Sequence, residues 1–122
     1  MSREFVPEFA VYAMRNMVVA MVRRGGAPMT SHQLGVFLIC YLEDADHTVR
    51  ALALNLHVSK AVISRALDRL GKLDLTVRKP DPRDARSILV GRTAAGLEVI
   101  NDLRRVAGSQ AFDLQGPALR SV

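Results

Sequence analysis

Apolar residues recur at three- and four-residue spacing along most of the chain, and that spacing gives way only between about Leu75 and Arg92. The pattern predicts helices interrupted by one extended segment. In the first helix, expected over residues 5–24, Phe9, Val11, Tyr12, Met14, Met17, Val18, Met21 and Val22 cover more of the circumference than one narrow stripe. So wide an apolar face predicts a helix shared between the chain's own core and a second copy. Pro7 suits a first helical turn, and Gly25, Gly26 and Pro28 end the run.

Thr30 and Gln33 have the spacing of a capping box, which starts a second helix through Phe37, Cys40 and Tyr41. The polar stretch Glu43–His47 closes it. Thr48 can cap a short third helix with Leu52, Ala53 and Leu56 inward, and His57 and Val58 make the next turn. Ser59 then caps a helix over about 59–73 whose Ile63, Ala66, Leu67 and Leu70 form one face, while Lys60, Arg65, Arg69 and Lys72 lie on the other. LTVRKP and SILVGRT read as two extended runs joined by the turn DPRDAR, a hairpin over about 75–92. Thr93 precedes a last amphipathic helix over 94–107, and Gly108, Gly116 and Pro117 are expected to leave 108–122 as an irregular tail.

Charge sharpens this picture. The chain of 122 residues carries a net +5, and the segment Arg50–Arg92 alone holds ten basic residues against four acidic ones, an excess of +6. A polyanion is the partner this distribution favours. The single cysteine excludes an internal disulfide and suits a reducing compartment. The opening MSREFVPEF lacks the apolar run of a signal peptide, and the longest uncharged stretch, Gly25–Leu42, is too polar for a membrane span. His32, His47 and His57 lack metal-ligand spacing, and no serine sits in a hydrolase constellation. No cofactor and no enzymatic activity are expected, and Cys40, in the apolar run GVFLICYL, reads as an inert packed thiol.

Two short helices joined by a tight turn, the second basic on its outer face and followed at once by a basic hairpin, make a winged helix-turn-helix. The expected fold is thus mainly α with a small β-hairpin wing, a single domain with dimerisation helices at its N- and C-terminal ends and a DNA-binding lobe over 30–93. From about Met29 to Arg105 the residues resemble the MarR family of bacterial transcriptional regulators. The segments TVRALALNLHVSKAVISRALDRL, VRKPDPRDARSILV and TAAG carry the resemblance, DPRDAR most of all.

That resemblance implies that Arg86 enters a minor groove while Asp84 orients its guanidinium. Asp74, His57 and Arg92 stand where the family usually has Gly, Gly and Leu. Members usually end in long helices that pair with a second chain, so the shorter C-terminal region here implies a smaller or differently built dimer interface. Phenolic or lipophilic effectors are common in the family, although no residue in this chain identifies one.

In the helix that would read the major groove, Lys60, Ala61, Val62, Ser64 and Arg65 are the candidates for base edges, with a core role as the alternative for Val62. Ser59 and Arg69 lie nearer the backbone, joined by Thr48 and Arg50 of the preceding helix. Arg83 is a further wing candidate beside Arg86. Arg78 and Lys79 read as phosphate contacts, with a pair to Asp81 or Asp84 as the alternative for one of them. The expected function is sequence-specific double-stranded DNA binding by a homodimeric repressor on a pseudo-palindromic site, in the cytoplasm and on the nucleoid. The competing readings are an activator, an accessory or architectural factor, or a winged-helix protein-interaction module.

Overall fold

Polar side chains start the helices at Thr30, Thr48 and Ser59, and each satisfies a backbone amide that the first turn leaves without a partner. In the computed structural model, which describes residues 5–26 and 28–113, Thr30 Oγ1 accepts from the Gln33 amide and Gln33 Oε1 accepts from the Thr30 amide, completing the box. Thr48 and Ser59 accept from the amides of Ala51 and Val62. The resulting elements are α1 (Phe5–Arg24), α2 (Ser31–Leu42), α3 (Val49–Leu56), α4 (Lys60–Lys72), β1 (Thr76–Asp81), β2 (Asp84–Arg92) and α5 (Ala94–Asp113).

The turns use left-handed backbone. His57, at φ 56°, closes α3, and Asp74, at φ 59°, follows α4. Asp tolerates this region better than most residues with a Cβ. The Asp74 amide donates to the Gly71 carbonyl and that of Leu75 to Leu70, so the helix end is satisfied despite the missing glycine.

Two compact units result, one spanning Met29–Ile100 and the other taking the described residues up to Pro28 and from Asn101 on. In the first unit α2 and α3 pack on α4, and the hairpin packs on all three. Phe37, Leu52, Ile63, Leu67 and Leu70 are fully buried there, which is the inward face that the helical spacing predicts. The β1–β2 pairing is antiparallel, and a lone bridge from Thr48 to Leu89 adds the strand-like entry to α3 to the sheet.

Three expectations change. The last helix does not stop at 107: α5 runs through Gly108 to Asp113. A lone glycine costs a helix about 1 kcal/mol relative to alanine and does not end it without a left-handed turn. The remainder of the tail, 114–122, lies outside the described residues. His47, read as part of a polar loop, is buried, with its Nε2 2.8 Å from the Glu43 carbonyl. On α1, Asn16 rather than any apolar side chain is the buried residue among those described, and its Nδ2 has no partner among the described residues. Phe9, Val11, Tyr12, Met14, Val18 and Val22 are all exposed, from 40% at Tyr12 to 74% at Val22.

Cys40 is buried on the inner side of α2, and burial pushes its thiol up to about 11 against the opposing pull of the Arg92 charge. The folded protein is expected to resist thiol reagents at pH 8 and to react at the unfolded rate once denaturant is added. Rapid labelling of the native state would contradict this burial. A raised thiol pKa also means that the folded state retains a proton the unfolded chain has lost, so this group lowers stability as pH rises from about 9 to about 11 and is neutral below.

Candidate nucleic-acid interface

On α4 the buried face of Ile63, Ala66, Leu67 and Leu70 turns the opposite side outward. There Lys60, Ala61 and Arg65 are exposed, and Val62, Ser64 and Arg69 are half-buried. Lys60, Ala61 and Val62 fall in the first turn, where main-chain amides and the helix dipole favour an anion, Ser64 and Arg65 follow in the second, and Arg69 lies in the last turn. The Ser59 oxygen caps the helix, and among the described residues its hydroxyl donates no hydrogen bond. Arg50, on α3, lines an open cleft with Leu54, Val58, Ser59 and Lys60 at the turn between the two helices. Val62, only partly exposed, retains both of its readings.

The wing is tighter at its tip than DPRDAR suggests, because only Pro82 and Arg83 lie outside the strands. Asp81 Oδ1 accepts from the Arg83 amide at 2.9 Å, the local bond that starts such turns. The register then slips: Pro80 faces Ile88, whereas Asp81 faces Asp84. Ala85, Arg86 and Ser87 are therefore left without partners on β1, and Arg86 projects from this bulge. Proline favours the slip, since it has no amide to give to the ladder.

Asp84 has a main-chain role: its Oδ1 accepts from the Arg86 amide at 3.0 Å and orders the bulge backbone, while among the described residues no ion pair joins it to the Arg86 guanidinium. Among the described residues Arg86 has no ion pair. Lys79 lies along the sheet: a Cβ placed on Gly91 would stand 2.7 Å from its Cε, so the glycine makes room for the lysine stem.

The remaining wing arginines are engaged. Arg78 pairs with neither Asp81 nor Asp84. Its Nη1 lies 2.8 Å from Asp68 Oδ1 and its Nη2 3.0 Å from the Ser64 carbonyl, both on α4. This outcome follows from strand alternation, which turns Arg78 to the same side as the buried Thr76 and so toward the helix. Arg83 is paired with Asp46 in the α2–α3 loop, with Asp81 3.9 Å away. Arg92 donates from Nε to the Cys40 carbonyl at 2.8 Å, reaches Asp44 at 3.6 Å, and stacks 5.6 Å from the Tyr41 ring centroid. These bonds clamp the end of α2.

Asp46, Asp68 and Tyr41 are the residues that the sequence reading missed. Asp68 had a detectable signal, since it is an acid on an otherwise basic helical face. Tyr41 Oη donates to the Leu75 carbonyl at 2.6 Å and accepts from the Thr93 amide at 2.9 Å, joining α2, the start of the wing and α5.

Among the described residues no group of three or more His, Cys, Asp or Glu could hold a metal ion, and no helix is long and apolar enough to cross a membrane. Residues 27–87, half of the chain, match the model of the MarR family, and they take in α2, the helix-turn-helix and the wing as far as Ser87. The chain belongs to the MarR family. Solved transcriptional regulators share this fold. A transcriptional regulator from Thermotoga maritima superposes with a TM-score of 0.75 at 20% identity, over 94% of this chain and 77% of that one. Wild-type MarR from E. coli, in its apo form, gives 0.65 at 22% over 90% and 78%. A mutant MepR from S. aureus, solved bound to an oligodeoxyribonucleotide, gives 0.62 at 21% over 98% and 78%. At these identities the likeness is one of fold. No curated protein matches the chain.

Proposed function

We propose that this MarR-family protein binds double-stranded DNA sequence-specifically and represses transcription as a homodimer on a pseudo-palindromic site. One observation carries the reading: the exposed polar side of α4 begins beside its capped N-terminus, and the bulge of the wing that packs on α4 leaves Arg86 without an ion pair among the described residues. A helix of this kind fits the major groove, and an arginine on an adjoining hairpin suits the narrower, more negative minor groove. Lys60, Ala61, Val62, Ser64 and Arg65 then face base edges, while Thr48, Arg50, Ser59, Arg69 and Lys79 serve phosphates and Asp84 holds the bulge. The reading is supported by the MepR relative, which was solved on an oligodeoxyribonucleotide.

The homodimer rests on α1, where six large apolar side chains stand in solvent along one helix. Two copies would double the reading unit and repeat it about one helical turn of DNA apart. The reading carries a cytoplasmic, nucleoid-associated location and no catalytic step. An effector of unknown chemistry is compatible with it.

Fluorescence anisotropy against promoter fragments tests the proposal. Binding should favour some fragments and weaken steeply with salt, by about 0.9 in log–log slope for each phosphate neutralised. Equal, salt-independent binding to all fragments would remove the basis for it. A repressor's bound genes should rise in transcript level when the protein is deleted; a fall would make it an activator.

Ser59 offers a separable check. Ser59→Ala should lower stability by about 1 kcal/mol through the lost cap. Ser59→Asp should keep the cap and the melting temperature while weakening DNA binding, because it sets a negative charge against phosphate. Unchanged affinity in the aspartate variant would take Ser59 out of the interface.

A further inference from the structure

Arg78 was, with Lys79, a phosphate candidate on β1, yet both of its terminal nitrogens are directed at α4. The Asp68 carboxylate and the Ser64 carbonyl, 2.8 and 3.0 Å away, lie one helical turn apart on α4, within reach of β1. A planar guanidinium spans two such acceptors at once, which a lysine ammonium on a single point of attachment does not. Ser64 and its neighbour Arg65 are candidates for base edges, and two residues beyond Arg78 the strand reaches Pro80, where the register slips toward Arg86. The fork therefore joins the turn of α4 that would read one groove to β1 of the hairpin, whose other strand, β2, carries Arg86.

Asp68 adds an independent argument. It is exposed among Arg65, Arg69 and Lys72, on a face that would meet a polyanion. A carboxylate there opposes phosphate, so its presence calls for a role other than contact.

We propose that Arg78 and Asp68 are positioning residues for DNA readout, which hold the wing at a fixed angle to α4 so that Arg65 and Arg86 engage adjacent grooves together. This inference rests on the DNA-binding reading above. Binding through two linked contacts gains from each only when the linkage places both at once, whereas non-specific attraction to phosphate needs no such placement. The pair consequently acts on specificity and leaves charge neutralisation to other residues.

The test uses the full chain and two DNA probes: the duplex that the wild type enriches from a random-sequence pool, and sonicated genomic DNA from an unrelated source. Arg78→Lys retains the charge and Asp68→Asn removes a negative one. Each should lower the ratio of affinities for the two probes by about five- to twentyfold. The salt slope should match that of the wild type, and the double variant should be no worse than either single one. The exposed pair contributes little to folding, so thermal melts should stay close to wild type. The proposal is overturned if Arg78→Lys discriminates like the wild type, if Asp68→Asn binds both probes more tightly through relief of repulsion, or if Arg78→Ala lowers the slope by about one, the mark of a phosphate contact. Failure of the wild type to enrich any duplex would instead overturn the DNA-binding reading, and this inference with it.

Discussion

Gly96→Ala is expected to be the most damaging small substitution in the chain, lowering stability by about 3 kcal/mol or more. A Cβ at that position would stand 1.8 Å from Tyr41 Oη, 2.5 Å from its Cζ and 2.6 Å from the Leu75 carbonyl. The first two contacts belong to a buried ring that packs 4.8 Å from Phe37, and the third is backbone, so nothing nearby gives way cheaply. Displacing the ring would also break the bonds from Tyr41 to Leu75 and Thr93. Buried polar groups left without partners cost about 1–3 kcal/mol each.

The melting temperature should accordingly fall by roughly 10 °C or more, followed by circular dichroism. Tyr41→Phe alone should cost less, since it removes only the hydroxyl. Combined with Gly96→Ala it should restore part of the loss, because the shortest contact disappears while those to Cζ and the Leu75 carbonyl remain. A Gly96→Ala protein that melts with the wild type would show that the α2–α5 junction is looser than these distances state.

For DNA, the largest effects are expected at Arg65 and Arg86. Each alanine variant should lose about 1–3 kcal/mol of specific binding, roughly five- to more than a hundredfold in affinity, and reduce the salt slope by about one where a phosphate contact is lost as well. The two should differ in which bases cease to matter. Arg65→Ala should relax discrimination at one major-groove position, whereas Arg86→Ala should relax a preference for narrow, A·T-rich minor groove beside it. Single-base substitution of the enriched duplex, titrated by anisotropy, separates these patterns. Both variants should retain the wild-type melting temperature, since the side chains are exposed and neither makes an ion pair among the described residues. If either variant binds as the wild type does across the panel, that arginine does not belong to the interface.

Particular residues show why some of this was legible in sequence. Ser59 and Thr48 announce helix starts because capping is a local event, decided within three residues. Ile63, Ala66, Leu67 and Leu70 announce the buried face of α4 because the helical repeat converts spacing directly into orientation. Asp74 marks a turn for a similar reason, its left-handed backbone being tied to the end of a helix. The α5 boundary was misread at Gly108, since a glycine's small penalty in a helix is easily outweighed by its neighbours.

The partners of the wing arginines were not legible. Arg78, Arg83 and Arg86 look alike as a basic cluster, yet they meet, respectively, Asp68 ten residues back, Asp46 thirty-seven back, and no ion-pair partner among the described residues. Strand alternation and a slipped register separate them, and a one-residue change of register reverses the face on which a side chain lies.

The sequence by itself determined the helix starts, the inward faces, the hairpin and the family, all of which follow from local propensity and periodic burial. Only the tertiary structure decided which cations are spent inside the lobe and which remain free. Ion pairing depends on distances between segments far apart in the chain, and these exist only once the wing has packed on α4 and the α2–α3 loop has met its tip.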